Sequence, residues 1–529
     1  MKTTKRLLAI AIAALAFGAC QKENSNILII EAEGMHNGTK MEIDGNHSYW
    51  VNYDQVRIYN ADDEEDRGTM YQIFITDDQA TIDVSDNDAL RTPLIGLYPN
   101  GIQAGRGSGY IHVDIPSSYS YGSTYTYSTG YRQILQPPMM AYTESGNTML
   151  FKHLTGAVTV EITNDFGIDV SVESILIKSN LYQLSGRRSI AITDIASDPI
   201  LVDTVQTDVV GDREVQMTFG GPDGTELIIP SGGSAQVQLP VLPVGRLNKF
   251  TVRVEVVNKD DDYMGYIFTK EQANSNALLR AEIGYAPVKF GGKFNYQGGY
   301  VRFAPGNLQY RATNVGLGGH WRFAGAQWST IGNAAGNTTP DADRPTQSYW
   351  IDLFGYGTSG YNAGQTAFEP WETSTTPGDY FAFTLTSYEG HPDWGWENDI
   401  SNGWGSWRTP DWSEIFYNND YAYAYVNDVY GIILLPVDYV HPLDISLNLA
   451  NTNSINYIDL YRWTKMEIAG AVFLPAAGYR SGTTVSEVGN NGYYWSNTGS
   501  NLYFYYLNGN AGATDDHSKG FAVRLIRVD

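Results

Sequence analysis

The sequence predicts a mostly β chain, with antiparallel sandwiches up to about residue 290 and an α+β unit after it. Three observations carry this expectation. First, Val158, Val160 and Ile162 alternate with Thr159, Glu161 and Thr163, and Phe250, Val252, Val254 and Val256 alternate with Thr251, Arg253 and Glu255. A period of two puts the apolar side chains on one face of a half-buried strand. Second, such runs are separated by turn clusters, among them Gly220-Gly221-Pro222-Asp223-Gly224 and Pro230-Ser231-Gly232-Gly233, the punctuation of antiparallel sandwiches. Third, only 17% of the 529 residues are charged, while 38 are Tyr and 55 are Gly. That balance favours strands and long turns over helix bundles.

The chain starts with a basic stretch, Lys2, Lys5 and Arg6, then an apolar run from Leu7 to Phe17 that closes on Gly18-Ala19-Cys20. The run is too short for a mature membrane span and reads as a cleaved signal over residues 1–20. Its end resembles the lipobox of bacterial lipoproteins, although Phe17 stands where Leu is usual. The resemblance implies that Cys20 is acylated and roots the chain in the outer membrane. The plainer alternative is an ordinary secretory signal with a chance cysteine. Gln21-Lys22-Glu23-Asn24 resembles the export tags of surface lipoproteins in Bacteroidetes. Cys20 is the only cysteine, so no disulfide is expected and stability must come from packed cores. A net charge of -24 repels phosphates, so no nucleic-acid partner is expected.

Several stretches of the sandwich region resemble the fimbrillin family of pilin-like lipoproteins. They are Thr39-Lys40-Met41-Glu42-Ile43-Asp44-Gly45 with Trp50 and Asp54-Gln55-Val56-Arg57-Ile58-Tyr59, then Leu97-Tyr98-Pro99, Ile115-Pro116, Gln136-Pro137-Pro138-Met139-Met140-Ala141 and Leu150-Phe151-Lys152-His153-Leu154-Thr155-Gly156. The resemblance implies two tandem sandwiches, expected over residues 21–148 and 149–290. It also implies pilin partners that join by adding a strand to a sheet edge. The Tyr-rich stretch 119–127 reads as an exposed hairpin with cross-strand tyrosines, or as a sticky loop.

After Lys289 the character changes. Gly291, Gly292, Gly298 and Gly299 mark the way into a third unit. Its first strand, Tyr300-Val301-Arg302-Phe303, is expected to pair with the last, Phe521 to Val528, so that the unit's ends meet. Thr409-Pro410-Asp411 reads as a helix start with Thr as the cap. Leu460, Trp463 and Met466 read as the apolar face of a second helix closed near Gly470. Residues 298–529 resemble a C-type-lectin-like domain through Pro305-Gly306-Asn307-Leu308-Gln309-Tyr310, Trp321-Arg322-Phe323-Ala324, Trp407-Arg408-Thr409, Gly431-Ile432-Ile433-Leu434-Leu435-Pro436, Met466 to Gly478 and Tyr494-Trp495-Ser496.

Catalytic chemistry finds no support in the motifs. The oxidases built on the lectin-like fold need cysteines that this unit lacks. The calcium loop of sugar-binding lectins is broken, because Glu369-Pro370 is followed by Trp371; Glu397, Asn398 and Asp399 read as a solvated turn. Gly105-Arg106-Gly107-Ser108-Gly109 has the wrong spacing for a dinucleotide, and the acidic run 62–66 reads as a solvated loop. No enzyme, metal or cofactor is expected, though a glycan-acting enzyme with a site assembled only in three dimensions stays open.

The stretch Asn497 to Ser518 is the candidate recognition surface. It lacks Lys, Glu, Gln, Met and Trp and is dominated by Tyr, Asn, Gly and Ser. Tyr supplies rigid amphipathic area and the others adaptable hydrogen bonds. The stretch resembles the variable tail of lectin-like proteins diversified by retroelements. The candidate contacts are Asn497, Ser500, Asn501, Tyr503, Tyr505, Tyr506, Asn508, Asn510, Asp515, Asp516 and His517. The competing reading is a glycine-rich hairpin in which Leu502, Phe504 and Leu507 simply fill core. The function expected is a surface lipoprotein adhesin, a pilus tip or accessory subunit, that binds a host or microbial protein or glycan. The alternative is a structural subunit whose third unit only caps an assembly.

Overall fold

A computed structural model describes residues 27–33, 36–37, 50, 53–77, 79–87, 90–100, 104–107, 109–121, 138–180, 182–191, 213–220, 226–243, 250–258, 261–272, 278, 281–311, 320–338, 350–362, 364–387, 392–400, 405–442 and 445–528. The signal segment, Cys20, Thr39 to Gly45 and most of the Tyr-rich stretch lie outside them. The described chain is mostly β, with short helices confined to the last unit.

The first sheet has eight strands and folds over on itself. Thr148–His153 is the shared strand, pairing with Met139–Thr143 on one side and in parallel with Ile27–Ala32 on the other. One buried cluster therefore joins Val56, Ile58 and Tyr98 of one limb to Leu28, Ile30 and Ile82 of the other. The boundary expected at 148/149 falls at the start of this strand, and both of its partners belong to the first sheet. The pattern Leu150-Phe151-Lys152-His153 alternates well, but alternation does not say which neighbour a strand chooses.

The second sandwich packs the sheet of Gly156–Asp165, Ser234–Val241 and Glu282–Gly291 against that of Val170–Ser179, Glu214–Thr218 and Phe250–Asn258. The two alternating runs of the sequence face each other here: Val158, Val160 and Ile162 meet Val252, Val254 and Val256 in one core. Most pairs are antiparallel, but Gly156–Asp165 and Glu282–Gly291 run parallel over nine residue pairs. The two sandwiches interlock. His36–Asn37 pairs with Glu282 and Ile283 of the second, and Gly186–Ala191 returns to pair with Tyr110–Ile115 of the first.

The last unit is closed by Gly299–Phe303 and Ile526–Val528, which pair Val301 with Val528 and Phe303 with Ile526. Its main sheet runs Asn456–Ile458, Tyr421–Val426, Val429–Leu434 and Val472–Pro475. The turn between the middle strands is Asn427-Asp428, both left-handed at φ 48° and 63°, as a two-residue hairpin demands. Helix Leu460–Ile468 covers one face, burying Trp463 and Met466. Leu460 is 49% exposed: it is the first helical residue, beyond the sheet's edge, and not part of the apolar face expected for it. Helix Trp412–Phe416 covers the other face, capped by Asp411 accepting from Ser413 N at 3.0 Å. Thr409, expected to cap it, instead donates to the buried Asp393.

The last unit is seated on the second sandwich through a closely packed seam. Arg302 donates to Asp165 Oδ1 at 3.0 Å, both nearly buried, and Lys289 reaches Asp165 Oδ2 at 3.0 Å and also pairs with Asp438. Gly167 admits Trp407 and the Phe303 carbonyl so closely that a Cβ would lie 2.7 Å from each. Pro436 sits against Gly292 in the same way.

Candidate recognition surface

Asn491–Trp495, Asn501–Tyr505 and Asn508–Ala513 form a three-stranded antiparallel sheet. Alternation along its middle strand divides the candidate contacts. Leu502 and Phe504 point into the core with Tyr494 and Trp412, as the hairpin reading expects. Gly492 lies opposite Phe504 with no room for a side chain, since a Cβ would come 2.0 Å from the ring. The other face carries Asn501, Tyr503 and Tyr505. Tyr503 stacks between Tyr493 and Tyr505 at 4.8 and 5.3 Å, and Tyr493 meets Tyr479 at 5.3 Å. Burial pushes the Tyr493 phenol well above its ordinary pKa, so it stays protonated and donates to Glu487 at 2.6 Å.

The turn Tyr506-Leu507 joins the middle strand to Asn508–Ala513 at one end of this sheet. Tyr505 is 42% and Tyr506 67% exposed, and Asn508 and Asn510 are exposed beside them. The turn is held at its back. The buried Tyr430 phenol donates to the Tyr506 carbonyl, Leu507 packs on the core, and Asn508 Nδ2 donates to the Tyr505 hydroxyl at 3.3 Å. Tyr506 adopts φ 46°, a left-handed conformation that disfavours residues with a bulky side chain.

The base of the hairpin is different. Asn501 is 1% exposed, walled in by Trp495, and neither of its side-chain polar atoms has a partner. Asn497 is fixed by its backbone, giving its carbonyl to Leu385 N at 2.9 Å and the Tyr356 hydroxyl at 2.8 Å. His517 Nδ1 lies 2.7 Å from the Phe381 carbonyl, and its ring packs on Tyr356 at 4.5 Å. Asn501 is therefore enclosed at the hairpin's root, while Asn497 and His517 are half-buried beside it, tied down through the Asn497 carbonyl and the His517 ring. Sequence alone hides this because Asn and His suit buried loop junctions as well as paratopes. Ser500 lies at the root too, bonded to Thr498 at 2.8 Å. Asp515 pairs with Lys519 at 2.9 Å, and Asp516 is exposed beside it. These residues are separated from the tip by the length of the strands, on the order of 15 Å at strand rise. The eleven candidates thus fall into an exposed tip (Tyr505, Tyr506, Asn508, Asn510, with Tyr503 as the rung behind) and a group at the far end of the strands, of which Asn501 is buried and Asp516 exposed.

The tip has neighbours that sequence reading did not single out. Tyr425 and Tyr457 lie side by side on adjacent strands, and Tyr425 touches Tyr430 at 5.4 Å. The alternation of Tyr421, Tyr423 and Tyr425 was the available signal. Among the described residues no group of three or more His, Cys, Asp or Glu could hold a metal ion, and Asn398 is tied to the carbonyls of Ser359 and Trp394.

No protein-family model matches the chain, and no curated protein matches it. Similar solved structures include a "putative cell adhesion protein" from Bacteroides ovatus, 16% identical, covering 50% of this chain and 91% of that one at a TM-score of 0.28. Another protein so described, from Bacteroides fragilis, is 12% identical and covers 57% of this chain and 98% of that one at 0.28. A fimbrial protein from Bacteroides ovatus is 10% identical and covers 95% of this chain and 99% of that one at 0.24. TM-scores and identities this low establish neither family nor function for the chain.

Proposed function

We propose that the chain is a surface adhesin of the pilus-associated kind, held to the outer membrane by lipid on Cys20. The two sandwiches serve as a stalk, and the last unit is a head that grips a host or microbial protein or glycan with its hairpin tip. The observation that carries this reading is the exposed Tyr505-Tyr506 turn with Asn508 and Asn510, backed by a rigid core and a tyrosine ladder. Preorganised aromatic area with adaptable amides is the chemistry of binding loops. The placement of the tip supports it. Strand Val429–Leu434 begins beside the tip at Tyr430 and runs on to Pro436 at the seam, about 20 Å away at strand rise. The reading assigns the chain no catalysis. Pilin partners would add a strand at an open edge, such as Asp261–Gln272, which pairs with only Phe250–Asn258 among the described residues.

The test is adhesion of the full chain to host and microbial cells, compared with Tyr505→Ala and Asn508→Ala. Loss of adhesion with an unchanged melting temperature is expected, and full retention would discard the head as the gripping part. The buried seam favours a second reading, a structural subunit whose head caps an assembly, because a cap needs such a seat just as much. Under that reading the same variants leave adhesion intact, while opening the seam disrupts fibre assembly.

A further inference from the structure

We infer that Tyr425 and Tyr457 form an aromatic shelf beside the tip, and that the shelf takes a neutral pyranose of a glycan. The inference rests on the adhesin reading and adds the ligand class to it.

The face of the main sheet that carries Tyr423, Tyr430 and Ile432 is covered by helix Trp412–Phe416 and the tip hairpin. That cover thins out at the Asn456–Ile458 edge. Tyr425 is half-buried there and Tyr457 is 72% exposed. The two are direct neighbours in the parallel pairing, with ring centroids 5.3 Å apart and planes within 5°. At that spacing the parallel rings are stacked, so Tyr425 backs Tyr457 and the outer face of the exposed Tyr457 ring is the one presented. A phenol ring carries negative charge density on its face, which suits the polarised C–H groups on the flat side of a pyranose. Tyr430 ties the shelf to the tip, touching Tyr425 and donating to the Tyr506 carbonyl. The Tyr457 hydroxyl at the ring's edge offers a donor and an acceptor, as sugar hydroxyls require.

Charge selects among glycans. The side chains assigned to the shelf and tip, Tyr425, Tyr457, Tyr505, Tyr506, Asn508 and Asn510, are uncharged. The exposed Asp428 sits in the adjoining turn, Asp459 lies two residues beyond Tyr457 and pairs with Arg462, and Lys465 lies over Tyr461. On a chain of net charge -24, sialylated or sulfated sugars are repelled. A protein epitope would seek an apolar pocket for its anchor residues, and this surface is a flat, hydroxyl-edged platform.

The experiment uses the purified full chain on immobilised neutral oligosaccharides of β-linked hexoses, with sialylated and sulfated counterparts in parallel. Binding to neutral members is expected. Tyr457→Ala should weaken it by about tenfold or more, while Tyr457→Phe, which keeps the stacking face, should stay within about threefold. Tyr457 is exposed, so equal melting temperatures check that both variants fold. Binding only to acidic glycans, equal binding by Tyr457→Ala, or cell adhesion abolished by protease treatment of the cells with no glycan bound would each overturn the inference. The adhesin reading fails separately, on tip variants that still adhere to cells.

Discussion

Tyr506 sets stability against binding, and Tyr506→Asn separates the two. At φ 46° the residue pays the left-handed penalty of an L-amino acid, about 1–2 kcal/mol. Asn visits this region far more readily, because its short polar side chain bonds locally. Most of the penalty should therefore be recovered on substitution. Little is lost in exchange. The Tyr506 side chain is largely in solvent, and the Tyr430 hydrogen bond goes to the backbone carbonyl, which Asn keeps. A net gain of about 1 kcal/mol follows, worth about 2–4 °C in melting temperature for a cooperative unit of this size. Binding should move the other way, falling by about tenfold as the tip loses its most exposed aromatic face. The assays are thermal unfolding of the full chain and adhesion to the host and microbial cells used to test the proposed function. A variant that melts lower yet adheres as before would falsify both halves of the argument, since the strain would be absent and the ring idle.

Further outcomes are expected at the seam and the hairpin root. Arg302→Ala strips the buried Asp165 of its main partner and should cost about 3 kcal/mol, the low end for a broken buried pair because Lys289 still reaches Asp165; thermal or urea unfolding reads it. Burial would raise the Asp165 carboxyl, but hydrogen bonds from Arg302 and Lys289 outweigh it and hold it below its ordinary 3.8. The contribution of that carboxylate is therefore complete above pH 3.8 and is lost as pH falls through its lower folded value, and Arg302→Ala should flatten this acid limb of the stability curve. Asn501→Leu, which replaces two unpartnered buried polar atoms with apolar volume of similar size, should be neutral or stabilise by about 1 kcal/mol and leave adhesion unchanged; lost adhesion at full stability would restore Asn501 as a contact. Gly492→Ala drives a methyl into the Phe504 ring and should destabilise by about 1–3 kcal/mol in unfolding experiments.

What was legible in the sequence was what repeats locally. The alternation of Val158 to Ile162 and of Phe250 to Val256 named strands whose apolar faces do meet in one core. The closing pair of the last unit was legible because both strands alternate cleanly and bracket it. Non-local choices were not. Nothing in Thr148–His153 says that it joins the first sheet on both sides, nor that Gly186–Ala191 returns to the first sandwich. The cap was misjudged where two candidates stood close together: Thr409 was recruited by the buried Asp393, 16 residues earlier in the chain, leaving the cap to Asp411. For the candidate site, composition marked the right stretch of chain to inspect but could not tell its faces apart. The turn at Tyr506-Leu507 fixes which of Tyr503, Tyr505 and Asn501 look outward and which end of the strand is covered. Tyr425 and Tyr457 escaped notice because they are 32 positions apart and become one surface only through a parallel pairing.

The seam and the tip make different demands, and the head meets them at opposite ends of the same strands. On the proposed adhesin reading, a gripping surface at the end of a stalk must transmit load into the stalk without the head turning away. At the seam this is met by shape and charge together: Gly167 lets Trp407 and the Phe303 backbone approach within van der Waals contact, and the Arg302–Asp165 pair is nearly buried, with the half-exposed Lys289 at its rim. Arg527, one residue past the closing strand's start, adds a donor to the Gly167 carbonyl at 3.1 Å, so the last strand is bonded to the sandwich as well as to the head. At the tip the opposite holds. Tyr506 and Tyr457 leave most of their surface in solvent, and Tyr505 a large part of it, where burial would have stabilised the fold. Exposed aromatic surface of this kind forgoes on the order of 1–2 kcal/mol per ring in folding, and a rigid backing of Tyr430, Phe504 and Leu507 keeps it from collapsing onto the core. Loosening the backing should thus lower adhesion even where every exposed residue is intact, which distinguishes a presented surface from an incidental one.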